Sequence, residues 1–219
     1  DLYSRFWLQM FRIACIIVAK AIPPRPFPRL LDFSSLEQEA NINLTVGRVE
    51  TKLSNNHLVA ICGKSRMAVE ALYFIHFLSS QCGFEVQVVP GGGDPETDTW
   101  QPSLQLAANR LGVPIVSLDD LKPRRELILL SLEYDRILRT REFASGRLYN
   151  VHLSALPAYR GCYTGTWPIL NGERSAGVTL HEVTDGIDEG PIVAQTLFPL
   201  PEEITAREFY HRLLAEGAR

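Results

Sequence analysis

From His57 onward, apolar residues fall into short unbroken runs that alternate with helix-period stretches, the signature of an α/β sheet; before His57 they do not. LVAIC at 58–62 is a continuous apolar run of strand length, as expected of a strand buried on both faces. Gly63 breaks it, and Met67, Leu72, Ile75 and Leu78 then recur on one side of a helix until Gly83. FEVQVV at 84–89 is the next strand-like run. Strand, tight turn, helix and strand make a βαβ unit, so the sheet starts parallel with a right-handed crossover. PGGGDPETDT at 90–99 is a turn-rich loop at the carboxyl end of that strand. QPSLQLAANRLG at 101–112 predicts a helix that enters after Pro102 and stops at Gly112. PIVSL at 114–118 predicts a short strand or extended segment, and ELILLSL at 126–132 and RLYNVHLS at 147–154 predict two more strands. GVTLHEV at 177–183 and PIVAQTLFPL at 191–200 alternate, and predict an antiparallel pair joined by TDGIDEG. TAREFYHRLL at 205–214 predicts a last helix, with Thr205 and Glu208 as a capping box and Phe209, Leu213 and Leu214 on its apolar side. The expected fold class is α/β: a Rossmann-like, mostly parallel sheet with helices on both faces.

Residues 1–56 read as an irregular N-terminal extension, and residues 57–219 as the catalytic domain. The apolar stretch from Phe6 to Ile22 is interrupted by Arg12 and Lys20, too short and too broken for a membrane span. It has no clean small-residue cleavage site of the secretory kind. Pro23, Pro24, Pro26 and Pro28 then forbid a regular helix. Two readings stay open: a poorly ordered or separately packed extension, or an arm that packs on a partner subunit. The chain opens on Asp rather than Met and closes on AEGAR just after an amphipathic run. The expectation is a piece of a longer chain, with C-terminal sequence missing.

Composition narrows the function class. The hydrophobic fraction is 46% and the charged fraction 21%, enough apolar material for a core of ordinary size. The net charge of −3, from 22 basic and 25 acidic residues, argues against a general nucleic-acid binder, because counterion release needs a basic surface. Cys15, Cys62, Cys82 and Cys162 have neither zinc-knuckle nor disulfide-framework spacing, so no metal is expected. They read as reduced thiols of a cytoplasmic protein. Cys162 lies inside the richest motif, but no paired base for it is evident.

Chemistry concentrates in two segments. In NVHLSALPAYRG (150–161), Asn150 and His152 alternate on a strand and therefore share a face. Open α/β sheets place ligands outside the carboxyl ends of their strands, which is where this pair sits. A buried structural histidine is the competing reading. In VTDGIDEGPIV (183–193), Asp185, Asp188 and Glu189 stand among Gly186 and Gly190. An ordinary acidic turn competes there, although a glycine-rich loop also lets its backbone approach a flat ligand.

Together, NVH, SALPAYRG, GVTLHEV and DGIDEGPIV resemble the formyltransferases that use 10-formyltetrahydrofolate, over about residues 58–214. That family includes enzymes acting on methionyl-tRNA, glycinamide ribonucleotide and amino sugars, and a deformylase. ICGKSRMAVEAL fits its opening strand and helix. The resemblance implies the N-terminal domain fold of these enzymes and a catalytic set of Asn150, His152 and Asp188. Asn150 would donate to the oxyanion formed when an amine attacks the formyl carbon. His152 would take the amine proton, and Asp188 would hold the imidazole and stabilise its charged form. The resemblance also implies that the pterin is held by Leu130, Ser131, Leu132, Thr184, Asp185, Gly186 and Ile187, largely through their backbone.

Within the family, RGCYTGTWPILNGE (160–173) and DTWQPSL (98–104) look like the enzymes that formylate nucleotide-linked amino sugars. The implied acceptor is a dTDP-linked 3-amino or 4-amino-6-deoxy sugar. Trp100 or Tyr163 could stack on a base, Lys64 and Arg66 could meet a pyrophosphate, and Arg160 lies in the motif itself. Plainer roles compete: solvated surface for Lys64 and Arg66, a turn brace for Arg160, and core packing for Trp167. GKSRMAVEA departs from the glycine-rich phosphate loop of the purine enzyme. The slight acidity disfavours a tRNA acceptor. A deformylase with the same triad and a silent binding paralogue remain alternatives. A homodimer is expected on the resemblance alone.

Overall fold

The computed structural model describes residues 57–95 and 97–218. The expectations for residues 1–56 lie outside the described residues.

Six strands form one sheet in the order β2-β1-β3-β4-β5-β6. They are β1 (Leu58–Gly63), β2 (Glu85–Pro90), β3 (Leu127–Leu132), β4 (Leu148–His152), β5 (Ser175–Glu182) and β6 (Ile192–Pro199). The first four pair in parallel. β4 to β5 and β5 to β6 are antiparallel. The chain enters at β1, builds outward to β2, then crosses to β3 on the other side. That reversal leaves a crevice at the carboxyl ends of β1 and β3, where open α/β sheets bind their ligands.

Every residue of β1 and of β3 is buried, which explains why both read as unbroken apolar runs. Their alternate side chains feed two cores. Val59, Ile61, Ile128, Leu130, Tyr149, Val151, Val178 and Leu180 pack on the first face. There they meet helices α1 (Ser65–Cys82), α2 (Leu104–Leu111) and α5 (Ala206–Gly217). Leu58, Ala60, Cys62, Leu127, Leu129 and Leu148 point to the second face. Lighter cover lies there, including Leu121 of the four-residue helix α3 (Leu118–Leu121). Among the described residues, the long helices thus gather on one face.

The helix boundaries follow local chemistry. α1 ends on Gly83 in the left-handed region at φ 77. α2 starts when the Ser103 hydroxyl accepts the Leu106 N–H. Thr205 and Glu208 form both halves of their capping box at the start of α5. Residues 114–117 take the extended-segment alternative rather than a full strand. They make one isolated bridge, Val88 to Ile115, before Ser117 caps α3. The Ser117–Asp120 capping box competes with extension at that point and ends it. A further short helix, α4 (Trp167–Leu170), was not expected from the pattern. Trp167 is 49% exposed there rather than in the core.

Candidate active site

The second face of the sheet carries polar side chains near the carboxyl end of β4. Asn150 and His152 of β4 stand opposite His181 and Thr179 of β5, so all four share that face. Thr179 is fully buried; its hydroxyl donates to the Ser154 carbonyl at 2.7 Å and accepts the Leu156 N–H at 3.1 Å. This ties the start of the 153–161 turn to β5.

That turn then returns to the histidine. The His152 Nε2 lies 2.8 Å from the Tyr159 carbonyl oxygen. A carbonyl only accepts, so Nε2 carries a proton and donates. The other ring nitrogen, Nδ1, faces the Asp188 Oδ2 at 3.5 Å. Asp188 comes from the loop between β5 and β6, and its Oδ2 accepts the Gly161 N–H at 2.8 Å. The turn motif and the acidic loop are therefore latched to each other. The Asp188 Oδ1 lies 3.5 Å from the His181 Nε2. An amide, two imidazoles and a carboxylate thus converge from two strands and one loop.

Asp188 is mostly buried, with 15% of its side chain exposed. Burial is the largest influence on its carboxyl and pushes the pKa up. The interactions with the neighbouring His181 and His152 rings and the Gly161 N–H together outweigh it and hold the pKa below the ordinary value. The carboxylate is ionised at neutral pH, facing a ring nitrogen able to take a proton. Asp188 itself has φ 48, and Tyr159 has φ 57. Both are non-glycine residues in the left-handed region, which costs about 1–3 kcal/mol each and is commonly found at working sites. Gly190 is what lets the acidic loop lie against β5: a Cβ there would fall 1.8 Å from the Glu182 carbonyl oxygen.

Ser131 is paired with Asn150 in the β3–β4 ladder and is buried. Leu130 and Leu132 turn instead into the first-face core, and their strand is laddered on both sides. In the acidic loop, the Thr184 hydroxyl oxygen is buried without a hydrogen-bond partner. Asp185 is committed elsewhere: its carboxylate accepts from Thr140 Oγ1 at 3.3 Å and the Arg141 N–H at 3.4 Å. Ile187 is 54% exposed, and Gly186 packs against the Glu189 side chain.

The residues expected to meet an acceptor are more scattered. Lys64 precedes α1 and lies beside Gly93, where a Cβ would sit 3.1 Å from its Nζ. Arg66 pairs with Glu70 on the same helix at 2.5 Å. Trp100 is 66% exposed and stands near Tyr210 and His211 of α5, at 6.2 and 6.1 Å between ring centroids. Tyr163 is 74% exposed, and Arg160 is exposed at the turn.

A second polar cluster was not anticipated. Glu133 follows β3 in the left-handed region at φ 54. It accepts hydrogen bonds from Ser65 Oγ and from Tyr210 Oη, the latter at 2.7 Å. Gln101 Nε2 donates to the same phenol at 2.9 Å, and its Oε1 is buried without a partner. Burial first, and then the Glu133 charge, push the Tyr210 pKa up, so the phenol keeps its proton. Its partners are 68 and 77 residues from Glu133, which no local pattern reveals. The sequence pattern presents His181 only as one position of an alternating strand; the signal it lacks is the register opposite Asn150.

Residues 122–219 match the family model described as "Formyl transferase". Similar solved structures include two N-formyltransferases. One is WlaRD, a sugar 3N-formyl transferase in the presence of dTDP and 5-N-formyl-THF, at 39% identity and TM-score 0.69, covering 74% of this chain and 59% of that one. The other is the N-formyltransferase from Helicobacter canadensis in complex with folinic acid and dTDP-3-aminofucose, at 39% identity and TM-score 0.68, covering 73% and 59%. Among curated proteins, the methionyl-tRNA formyltransferase of Herpetosiphon aurantiacus is 35% identical over 127 residues, 53% of this chain and 42% of that protein. The mostly parallel six-stranded sheet is a Rossmann-like α/β fold, and the match over residues 122–219 makes that part of the chain similar to formyl transferase domains. The chain spans 14%, 42% and 55% of three curated relatives it matches.

Proposed function

We propose that this domain transfers a formyl group from 10-formyltetrahydrofolate to the amino group of a dTDP-linked amino-6-deoxy sugar. The observation that carries the formyl-transfer reading is the meeting of Asn150, His152 and Asp188, with His152 Nδ1 3.5 Å from the Asp188 carboxylate. A proton taken from the attacking amine onto Nδ1 is met by that carboxylate, and Nε2 is held by the Tyr159 carbonyl. Asn150 supplies an N–H to the oxygen that becomes negative, a contact worth about 3 kcal/mol in comparable sites.

The residues present fit a pterin in the acidic loop. The unpartnered buried Thr184 hydroxyl offers a hydrogen bond, and Gly186 and Ile187 leave backbone and an exposed apolar side chain beside it. Leu130, Ser131 and Leu132 end β3, and that strand end is, on this reading, a further wall of the pterin site. Among the described residues no cluster of three or more His, Cys, Asp or Glu is placed to hold a metal ion, and the proposed reaction needs none. The acceptor reading is supported by the two similar formyltransferase structures, one in the presence of dTDP and the other in complex with dTDP-3-aminofucose. Lys64 at the start of α1, with no side-chain cap on that helix, suits a pyrophosphate. Exposed Trp100 and Tyr163 offer faces for the base, and Arg160 a further cation. The expected homodimer is open to light scattering, and the expected cytoplasmic location to fractionation; no described helix is long and apolar enough to cross a membrane.

The test is release of tetrahydrofolate from 10-formyltetrahydrofolate, with and without dTDP-3-amino and dTDP-4-amino-6-deoxyhexoses. Release that depends on a sugar supports the proposal. Release without any acceptor means a hydrolase. A second reading has its own support, since two of the curated relatives are methionyl-tRNA formyltransferases. Formylation of charged initiator tRNA but of no sugar would replace the proposed acceptor with that one.

A further inference from the structure

Building on the formyl-transfer reading, we infer that His181 is a positioning residue that fixes the orientation of the Asn150 amide, so that one amide N–H remains for the substrate. His181 is 2% exposed and stands directly across the β4–β5 ladder from Asn150. Its Nδ1 lies 2.8 Å from the Glu182 carbonyl oxygen. That oxygen only accepts, so Nδ1 carries the proton. In the neutral ring the lone pair is then at Nε2, which lies 3.1 Å from the Asn150 Nδ2. An acceptor at that place selects the NH2 end of the amide. Turned over, the amide would set its oxygen against a lone pair, with a carboxylate oxygen next to it.

The order of constraint runs from backbone to amide. The Glu182 carbonyl sets the His181 tautomer, the tautomer sets the Asn150 amide, and the amide keeps its second N–H outside this bond. Charged and titratable groups facing His181 come from each neighbouring element. Asp188 Oδ1 of the β5–β6 loop is 3.5 Å from Nε2. His152 of β4 is edge-on, with ring centroids 6.3 Å apart at 83°. The two imidazoles therefore flank one carboxylate, His152 on Oδ2 and His181 on Oδ1. A proton on the His181 Nε2 would be drawn to Asp188, withdraw the acceptor from Asn150 and release the amide to turn.

Two substitutions and one spectroscopic measurement test this. His181→Phe removes the acceptor and keeps an apolar ring; kcat should fall about tenfold or more, toward the loss seen when an oxyanion donor is deleted, while KM for both substrates stays within about twofold. His181→Gln can place an amide oxygen where Nε2 was, and should hold kcat within about threefold of the parent. His181→Phe turning over within about twofold of the parent, or His181→Gln falling as far as His181→Phe with an unchanged melting temperature, would overturn the inference. Independently of any activity, the imidazole ¹⁵N spectrum of the full chain should show His181 as the Nδ1-protonated tautomer, assigned by the signal lost in His181→Gln. The Nε2-protonated tautomer would overturn the inference as well. Absence of formyl transfer by the parent protein would remove the catalytic consequence and the proposed function, while the tautomer still decides whether His181 directs Asn150.

Discussion

Replacing Asp188 by Asn removes a charge while keeping shape and an oxygen for the Gly161 N–H, so it isolates the electrostatic part of the site. The magnitude follows from the 3.5 Å between Oδ2 and His152 Nδ1. Two unit charges at that separation interact by about 5 kcal/mol at an effective dielectric of about 20, and by roughly half that at about 40. The carboxylate is 15% exposed, so some solvent screening applies and the lower figure is the safer guide. A loss of about 2.5 kcal/mol in stabilising the imidazolium that forms during proton uptake is about a hundredfold in turnover. The assay is kcat for formyl transfer to the proposed dTDP-amino sugar acceptor, measured beside the parent protein, with circular dichroism to show the fold intact. A variant retaining more than about a third of parental kcat would refute the reasoning, because no charge partner of this strength can be spared at such a cost.

The same carboxyl makes a statement about stability against acid. Its pKa is lowered in the folded chain, so its contribution is present above the unfolded value and is lost as pH falls through the folded one. As pH falls below about 4, the parent protein should lose more urea resistance than Asp188→Asn; equal losses would contradict the coupling. His152→Asn should lower turnover at least about a hundredfold with the fold retained, and near-normal turnover would reject its role as base. Gly190→Ala would force the acidic loop off the Glu182 carbonyl, and should cost turnover and about 2 kcal/mol or more of stability by urea titration. Peptide-level alkylation should label exposed Cys162 readily and leave Cys62 untouched in the native protein, since burial pushes the Cys62 thiol pKa up.

The sheet was legible because β1 and β3 are buried on both faces and leave no polar residue to interrupt their pattern until Ser131. The capping box of Thr205 and Glu208 and the stop at Gly83 are local, and local signals survive into the fold. Residues 114–118 carry strand-like residues, but Ser117 and Asp120 bond to each other first and convert the end of that run to a helix. The pairing of Asn150 with His152 was readable from period two, and Asp188 from its motif. What joins them was not: the Gly161 N–H on Asp188 and the Tyr159 carbonyl on His152 depend on how a turn folds back, not on residue type. His181 and Glu133 were invisible for a similar reason. Each gains its meaning from partners placed by register or by distant helices, and a backbone carbonyl or a hydroxyl leaves no mark in a pattern of apolar spacing.

A structure of the protein with 5-formyltetrahydrofolate and dTDP bound would measure the central claim directly. The account places the formyl oxygen about 3 Å from the Asn150 Nδ2, with His152 and Asp188 on the side from which an amine approaches. A folate seated away from the carboxyl end of β4, with its formyl group out of reach of Asn150 and His152, would contradict it.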